Sequence, residues 1–256
     1  MKSVLIKCGG STLDELSDGF FSSLHKLIEL EYKIIIVHGG GPDINKMLHK
    51  LNVKTEYVNG LRKTNEETLQ VVEMVLSGQT NRKLVQNLKK NGLKAIGING
   101  SDADLLKAEY MNKEQLGLVG NITKVNADLL EFLLDRNMIP VITPIAIGDD
   151  GAKLNVNADY AAAAIADTLK VEQFLFVTDV EGIMINGMVL DTVQAEDIEY
   201  FIEHGEIYGG MIPKVTSALS AIQKGIESVR IVAGRKGIYE NDRWMGTKIL
   251  GKERVV

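Results

Sequence analysis

Short apolar runs rich in β-branched residues recur along the chain: Val4–Ile6, Ile34–Val37, Ala95–Ile98, Ile139–Ile142, Phe174–Thr178 and Val229–Val232. Each is nearly continuous in apolar character, the pattern of strands covered on both faces. The intervals between them have room for helices, so the series predicts βαβ units around a mostly parallel sheet. The expected fold class is α/β.

Two helix starts carry the capping-box spacing, Thr12 to Glu15 and Thr64 to Glu67, in which a hydroxyl and an acid satisfy exposed amide donors reciprocally. From Leu105 to Val125 the pattern changes to mixed charged and apolar residues with Gly117 and Gly120, which reads as an inserted hairpin able to cover a substrate. The chain has no internal repeat, low-complexity tract or Pro/Ser-rich linker. A lobe boundary is therefore placed near residue 170 on functional grounds: 1–170 to bind an acceptor and 171–256 to bind a nucleotide. The two lobes would share one continuous sheet, with ligands at the carboxyl ends of the strands.

Composition narrows the function. Of 256 residues, 45% are hydrophobic and 25% charged, as in an ordinary globular domain. The net charge of −5 argues against broad electrostatic binding to nucleic acid or anionic membrane, so any phosphate recognition must be local. The one cysteine, Cys8, allows no intrachain disulfide and reads as a small buried apolar residue. The first residues lack the apolar core of a signal peptide, and no run reaches the roughly 18–20 residues of a membrane span. A cytoplasmic location is expected. None of the four histidines falls in a metal-ligand or triad pattern, so no metal-binding residues are assigned.

The candidate chemistry lies where strands hand over to helices. Strand one ends in Lys7-Cys8-Gly9-Gly10, and the second runs into His38-Gly39-Gly40-Gly41-Pro42. Glycines at such turns let amide donors approach an anion, and helix N-termini add partial positive charge; the same glycines could also serve turn geometry alone. Neither G-x-x-x-x-G-K-[ST] nor G-x-G-x-x-G occurs. Lys7 closes an apolar strand, where a charge is costly unless it meets an anion. Lys214 follows Gly209-Gly210-Met211-Ile212-Pro213, with the Pro suited to a first helical turn. Asn155, Asn157 and Asp159 precede an alanine-rich helix and could be caps; functionally, Asn155 could hold a carboxylate or amide while Asp159 aligns both lysines. Asp179 follows a strand and could bind magnesium or nucleotide, or begin a turn. Arg62 could fork onto a carboxylate.

Taken together, Lys7-x-Gly9-Gly10, His38-Gly39-Gly40-Gly41-Pro42, Asn59-Gly60-Leu61-Arg62, Asn155-x-Asn157-Ala158-Asp159, Thr178-Asp179-Val180-x-Gly182 and Gly210-Met211-x-x-Lys214 resemble the amino acid kinase family. Their order and spacing resemble in particular the members that phosphorylate N-acetyl-L-glutamate. The likeness runs from Lys2 to Met245-Gly246-Thr247. It implies a three-layer αβα sandwich with a mostly parallel central sheet, usually a homodimer. It also implies transfer of a phosphoryl group from MgATP to the side-chain carboxylate of N-acetyl-L-glutamate in arginine biosynthesis, with ATP and Mg²⁺ as cofactors. Carried over residue by residue, Lys7 and Lys214 would stabilise the transferring phosphoryl, held by Asp159. Gly40, Gly41, Arg62 and Asn155 would contact the acceptor. Gly9 and Gly10, Asp179, Val180, Glu181, Gly182, Ile183 and Met184, and Glu206, Ile207 and Tyr208 would border the nucleotide. A kinase for carrier-linked aminoadipate and a non-catalytic sensor of the same fold are the alternatives. The arginine-inhibited members carry a helix before strand one, so an arginine-insensitive dimer is expected.

Overall fold

Each of the six apolar runs lies in a strand of the computed structural model, which describes residues 2–251. The strands used below are β1 (Ser3–Cys8), β2 (Lys33–His38), β3 (Ala95–Asn99), β4 (Leu106–Tyr110), β5 (Gly120–Val125), β6 (Ile139–Thr143), β7 (Ile145–Ile147), β8 (Lys153–Asn155), β9 (Gln173–Thr178), β10 (Thr192–Gln194), β11 (Ser228–Ala233) and β12 (Thr247–Leu250). The helices used below are α1 (Asp18–Glu29), α2 (Gly41–Lys50), α3 (Glu66–Glu73), α4 (Asn81–Lys90), α5 (Ala127–Asp135), α6 (Ala158–Leu169), α7 (Ala195–Glu203) and α8 (Ile212–Gln223).

The chain forms two compact units, one of Met1–Ile34 with Lys170–Val256 and one of Ile35–Leu169. The first thirty-four residues thus group with the C-terminal segment, and β1 belongs to the same unit as β9. In that unit the strand order is β10-β12-β11-β9-β1. β1 pairs parallel with β9 from Val4↔Gln173 to Cys8↔Val177, β9 with β11 and β10 with β12 are also parallel, and β11–β12 is antiparallel. Val4, Leu5, Ile6, Leu175, Phe176, Ile231 and Val232 are buried, as their unbroken apolar runs require. Helix α1 begins where the Ser17 hydroxyl accepts from Phe20 N–H at 3.2 Å.

In the second unit β6 pairs parallel with both β2 and β3. A smaller sheet runs β8-β7-β4-β5; its antiparallel pair β4–β5 is the expected insertion hairpin. Ile44 and Leu48 of α2 pack with Leu69 and Val72 of α3 and with Val75, Leu76 and Ile145. Between α3 and α4 the helix widens into a π-helical stretch, Met74–Thr80.

Neither capping box forms. Thr12 points its hydroxyl back to the Gly9 carbonyl at 2.8 Å and caps no helix. At the second site the cap is Asn65, whose Oδ1 accepts from Thr68 N–H at 2.8 Å, while the buried Thr64 hydroxyl is committed to the Arg62 carbonyl. An amide oxygen one residue later meets the helix amides, and the hydroxyl serves the strand side instead.

Candidate functional site

In the second unit β2 ends at His38, and α2 starts at Gly41 with Pro42 in its first turn. Gly40 lies against the π-helical stretch: a Cβ there would stand 2.5 Å from Leu76 Cδ2, so a larger residue would require the Leu76 side chain to shift. Gly41 has open space where a Cβ would be, leaving its amide approachable. The N-terminus of α2 is therefore an accessible donor surface for an anion.

Arg62 ends the hairpin strand Leu61–Arg62, with its guanidinium 4.9 Å from the Tyr57 ring centroid. It is only 9% exposed, and Nη1 is buried with no hydrogen-bond partner among the described residues. Burial lowers its pKa from the usual arginine value, although the group stays cationic. A buried guanidinium with an unused donor is costly by itself and is matched by a carboxylate.

Asn155, at the end of β8, donates from Nδ2 to Thr64 Oγ1 at 3.1 Å, and Thr64 Oγ1 donates to the Arg62 carbonyl at 2.8 Å. This line of hydrogen bonds joins two segments 91 residues apart in sequence. Asn155 is therefore no helix cap. That role falls to Asn157, whose Oδ1 accepts from Asp159 N–H at 2.7 Å and Tyr160 N–H at 3.4 Å, leaving Asp159 in the first turn of α6. Thr64 is a member of this frame that sequence reasoning treated only as a cap.

His38 is fully buried, and desolvation pushes its pKa down to about 4, so the ring is neutral at ordinary pH. Its Nδ1 lies 3.0 Å from the Gly39 carbonyl and its Nε2 3.0 Å from Asn81 Nδ2.

The remaining candidates belong to the first unit. Lys7 pairs in register with Phe176, and its Nζ sits 5.4 Å from that ring's centroid. Gly9 N–H donates to the Val177 carbonyl at 3.3 Å, which fixes the Gly9-Gly10 turn to the end of β9. Pro213 falls in the first turn of α8, and Lys214 follows it. Lys214 Nζ makes an ion pair with Asp179 Oδ1 at 2.7 Å, and that bond holds the Asp179 carboxyl below the usual carboxylate range. Beyond it, Thr178 Oγ1 accepts from Val180 N–H at 3.2 Å, and Glu181 pairs with Lys236 at 2.6 Å. Gly182 has φ +155° and abuts Thr247, whose hydroxyl accepts from Ile183 N–H at 2.8 Å. Ile183 and Ile207 are buried side chains of the unit's interior, whereas Met184 and Tyr208 are exposed and present apolar surface. Glu206 and Ile207 donate their amides to the Phe201 carbonyl. Beside Lys7, burial pushes the Cys8 thiol up to about 12, so it is an inert apolar residue at neutral pH.

Among the described residues no group of three His, Cys, Asp or Glu is arranged to hold a metal ion, and no helix is long and apolar enough to cross a membrane. A magnesium ion would fit this donor set as a phosphate-borne ion, since Mg²⁺ commonly keeps waters and takes one or two carboxylates at most.

The sequence profile described as the Amino acid kinase family matches residues 2–233. A protein of Bacillus licheniformis named acetylglutamate kinase is 49% identical over 255 residues, spanning 100% of this chain and 99% of that one. A solved structure from Streptococcus mutans, smu.665, superposes with TM-score 0.82 at 29% identity, over 97% of this chain and 98% of that one. A carbamate kinase from Giardia lamblia bound to AMP-PNP superposes with TM-score 0.68 over 98% and 99%; at 16% identity the likeness is one of fold.

Proposed function

Because the chain belongs to the amino acid kinase family, we propose that it transfers the γ-phosphoryl group of MgATP to the side-chain carboxylate of N-acetyl-L-glutamate, forming an acyl phosphate in arginine biosynthesis. The observation that carries the acceptor assignment is Arg62: a buried guanidinium with an unused donor, framed by Thr64 and Asn155. Such a site suits a carboxylate whose other end can meet an amide-bearing side chain.

The acceptor carboxyl has an intrinsic pKa near ~4.3 and is already ionised at neutral pH, so no general base is needed. One of its oxygens attacks the γ-phosphorus, the bond from that phosphorus to the β,γ-bridging oxygen breaks, and ADP leaves. The obstacle is repulsion between two anions, and catalysis rests on alignment and positive charge. Arg62 and the amides of Gly40 and Gly41 orient the acceptor. Lys7 and Lys214 neutralise charge on the transferring group, with Asp159 orienting them. For Lys214 this means exchanging its Asp179 partner for phosphate oxygens. A magnesium ion borne by the nucleotide would supply further charge neutralisation at the phosphates. The Gly9-Gly10 turn, the segment Asp179 to Met184 and the segment Glu206 to Tyr208 border the nucleotide in this reading.

Incubation with MgATP and N-acetylglutamate, followed by hydroxylamine trapping, is expected to give a hydroxamate. A parallel panel of glutamate, aspartate, aminoadipate and UMP should give little product. Absence of hydroxamate with acetylglutamate defeats the assignment. A homodimer acting in the cytoplasm completes the reading, and sedimentation of the purified chain tests the dimer.

A further inference from the structure

The buried ring of His38 takes no part in the chemistry above, yet both its nitrogens have hydrogen-bond partners. We infer that Asn81 is a positioning residue that fixes the Gly39–Gly41 loop through His38, delivered to that place by the π-helical stretch before it. The consequence for catalysis rests on the reading of Gly40 and Gly41 as acceptor contacts.

Nδ1–H of His38 donates to the Gly39 carbonyl at 3.0 Å, which leaves Nε2 as the acceptor. Asn81 Nδ2 fills that position at 3.0 Å and donates its second hydrogen to the Val141 carbonyl at 2.8 Å. Asn81 Oδ1 accepts from Arg82 Nη2, and the Thr143 hydroxyl lies 3.3 Å from the same histidine nitrogen. His38, Asn81 and Thr143 are all fully buried, so their polar side-chain atoms must be satisfied within the protein. Only one neutral tautomer fits the network, and a burial-depressed pKa of about 4 keeps the ring in that form. The Gly39 carbonyl is thereby fixed, and with it the direction of the amides that follow.

The opposite side of the loop meets the same helical stretch. Gly40 abuts Leu76 and Thr80, and the Thr80 hydroxyl reaches Asp43 of α2 at 3.4 Å. In a regular α-helix, residues five apart diverge by about 140° around the axis, so Leu76 and Asn81 would not face one loop. The widened turn brings them round to it, consistent with the concentration of such turns at functional sites.

The test compares the whole protein with Asn81→Ala, Asn81→Asp and the isosteric Thr143→Val. In the unaltered chain, long-range ¹H–¹⁵N spectra should show His38 as the neutral Nδ1–H tautomer at pH 7. Asn81→Ala is expected to shift the Gly39, Gly40 and Gly41 amide resonances and to raise the acceptor KM by about tenfold or more, with the ATP KM changed less than about twofold. Asn81→Asp should convert His38 to the doubly protonated ring at neutral pH, because a carboxylate in that place favours a donor at Nε2. Thr143→Val, which keeps Asn81, should move the same resonances by less. If Asn81→Ala does not fold, Asn81→Asp and Thr143→Val carry the test. Unshifted glycine amides in the folded variants, or equal changes in both KM values, overturn the inference. If the unaltered protein phosphorylates no carboxylate, the acceptor reading fails separately, and the amide and ring resonances still decide the positioning claim.

Discussion

Replacing Arg62 with Met should weaken acceptor binding and stabilise the ligand-free chain at the same time. The guanidinium is 9% exposed, and its Nη1 has no partner among the described residues. Losing one member of a desolvated charge pair costs about 2–5 kcal/mol. In the proposed site Asn155 and the Gly41 amide would remain to hold the acceptor, so the lower part of that range applies. A loss of about 2–4 kcal/mol corresponds to a rise in acceptor KM of about 30- to 1,000-fold, with ATP KM within about twofold. Without ligand the sign reverses. Replacing a buried charge by an apolar residue of similar length gains about 1–4 kcal/mol, set against about 0.5–2 kcal/mol for the lost Tyr57 ring contact. A net gain of about 1 kcal/mol raises Tm by about 2–4 °C in a protein of this size. Steady-state kinetics with each substrate varied, beside calorimetry without ligand, measures both. A fall in Tm together with equal changes in both KM values refutes the picture of a guanidinium held ready for a carboxylate. Arg62→Lys should recover little, because an ammonium cannot fork onto two oxygens.

Lys7→Ala and Lys214→Ala should each lower kcat by about 10²-fold or more, the scale of a lost transition-state charge contact, and near-normal turnover in either would remove that residue from the mechanism. Asp179→Asn should leave overall stability within about 1 kcal/mol, since the pair is partly solvated, but shift the ATP KM. Because the folded pKa of Asp179 is depressed, its contribution is present above the ordinary carboxylate range and lost as pH falls through the folded value; urea unfolding of both forms should converge in acid. His38 carries the same sign by another route: the unfolded chain takes up a proton near pH 6.5 that the folded ring refuses until about 4. Stability should fall by about 1.4 kcal/mol per pH unit in that window on this residue's account, and the slope should be missing in His38→Gln.

The strands were legible because both faces are covered: Val4–Ile6 and Phe174–Thr178 announce themselves without any partner being known. The glycine turns after β1 and β2 and the Pro213–Lys214 helix start were legible as local chemistry. What escaped is what depends on distant pairing. Asn155, Thr64 and Arg62 meet across 91 residues, and nothing in Thr64's own neighbourhood distinguishes a frame member from a cap. Asn81 carried no sequence signal, because its burial follows a π-helical turn that leaves no periodic signature. Lys214 was legible as a candidate, whereas its ion pair with Asp179 spans a loop and a helix that only the fold brings together.

The grouping of Met1–Ile34 with Lys170–Val256 bears on how the chain is made. Strand β1 leaves the ribosome well before its parallel partner β9, which begins at Gln173. At about 5–20 residues per second, β1 waits on the order of ten to thirty seconds for that partner. The segment Ile35–Leu169 is continuous and complete before β9 is synthesised. Birth order therefore favours a middle that folds first while the apolar strand Val4-Leu5-Ile6 still lacks its β9 partner. The pairing of β1 with β9 is then completed only after the whole intervening segment has been made.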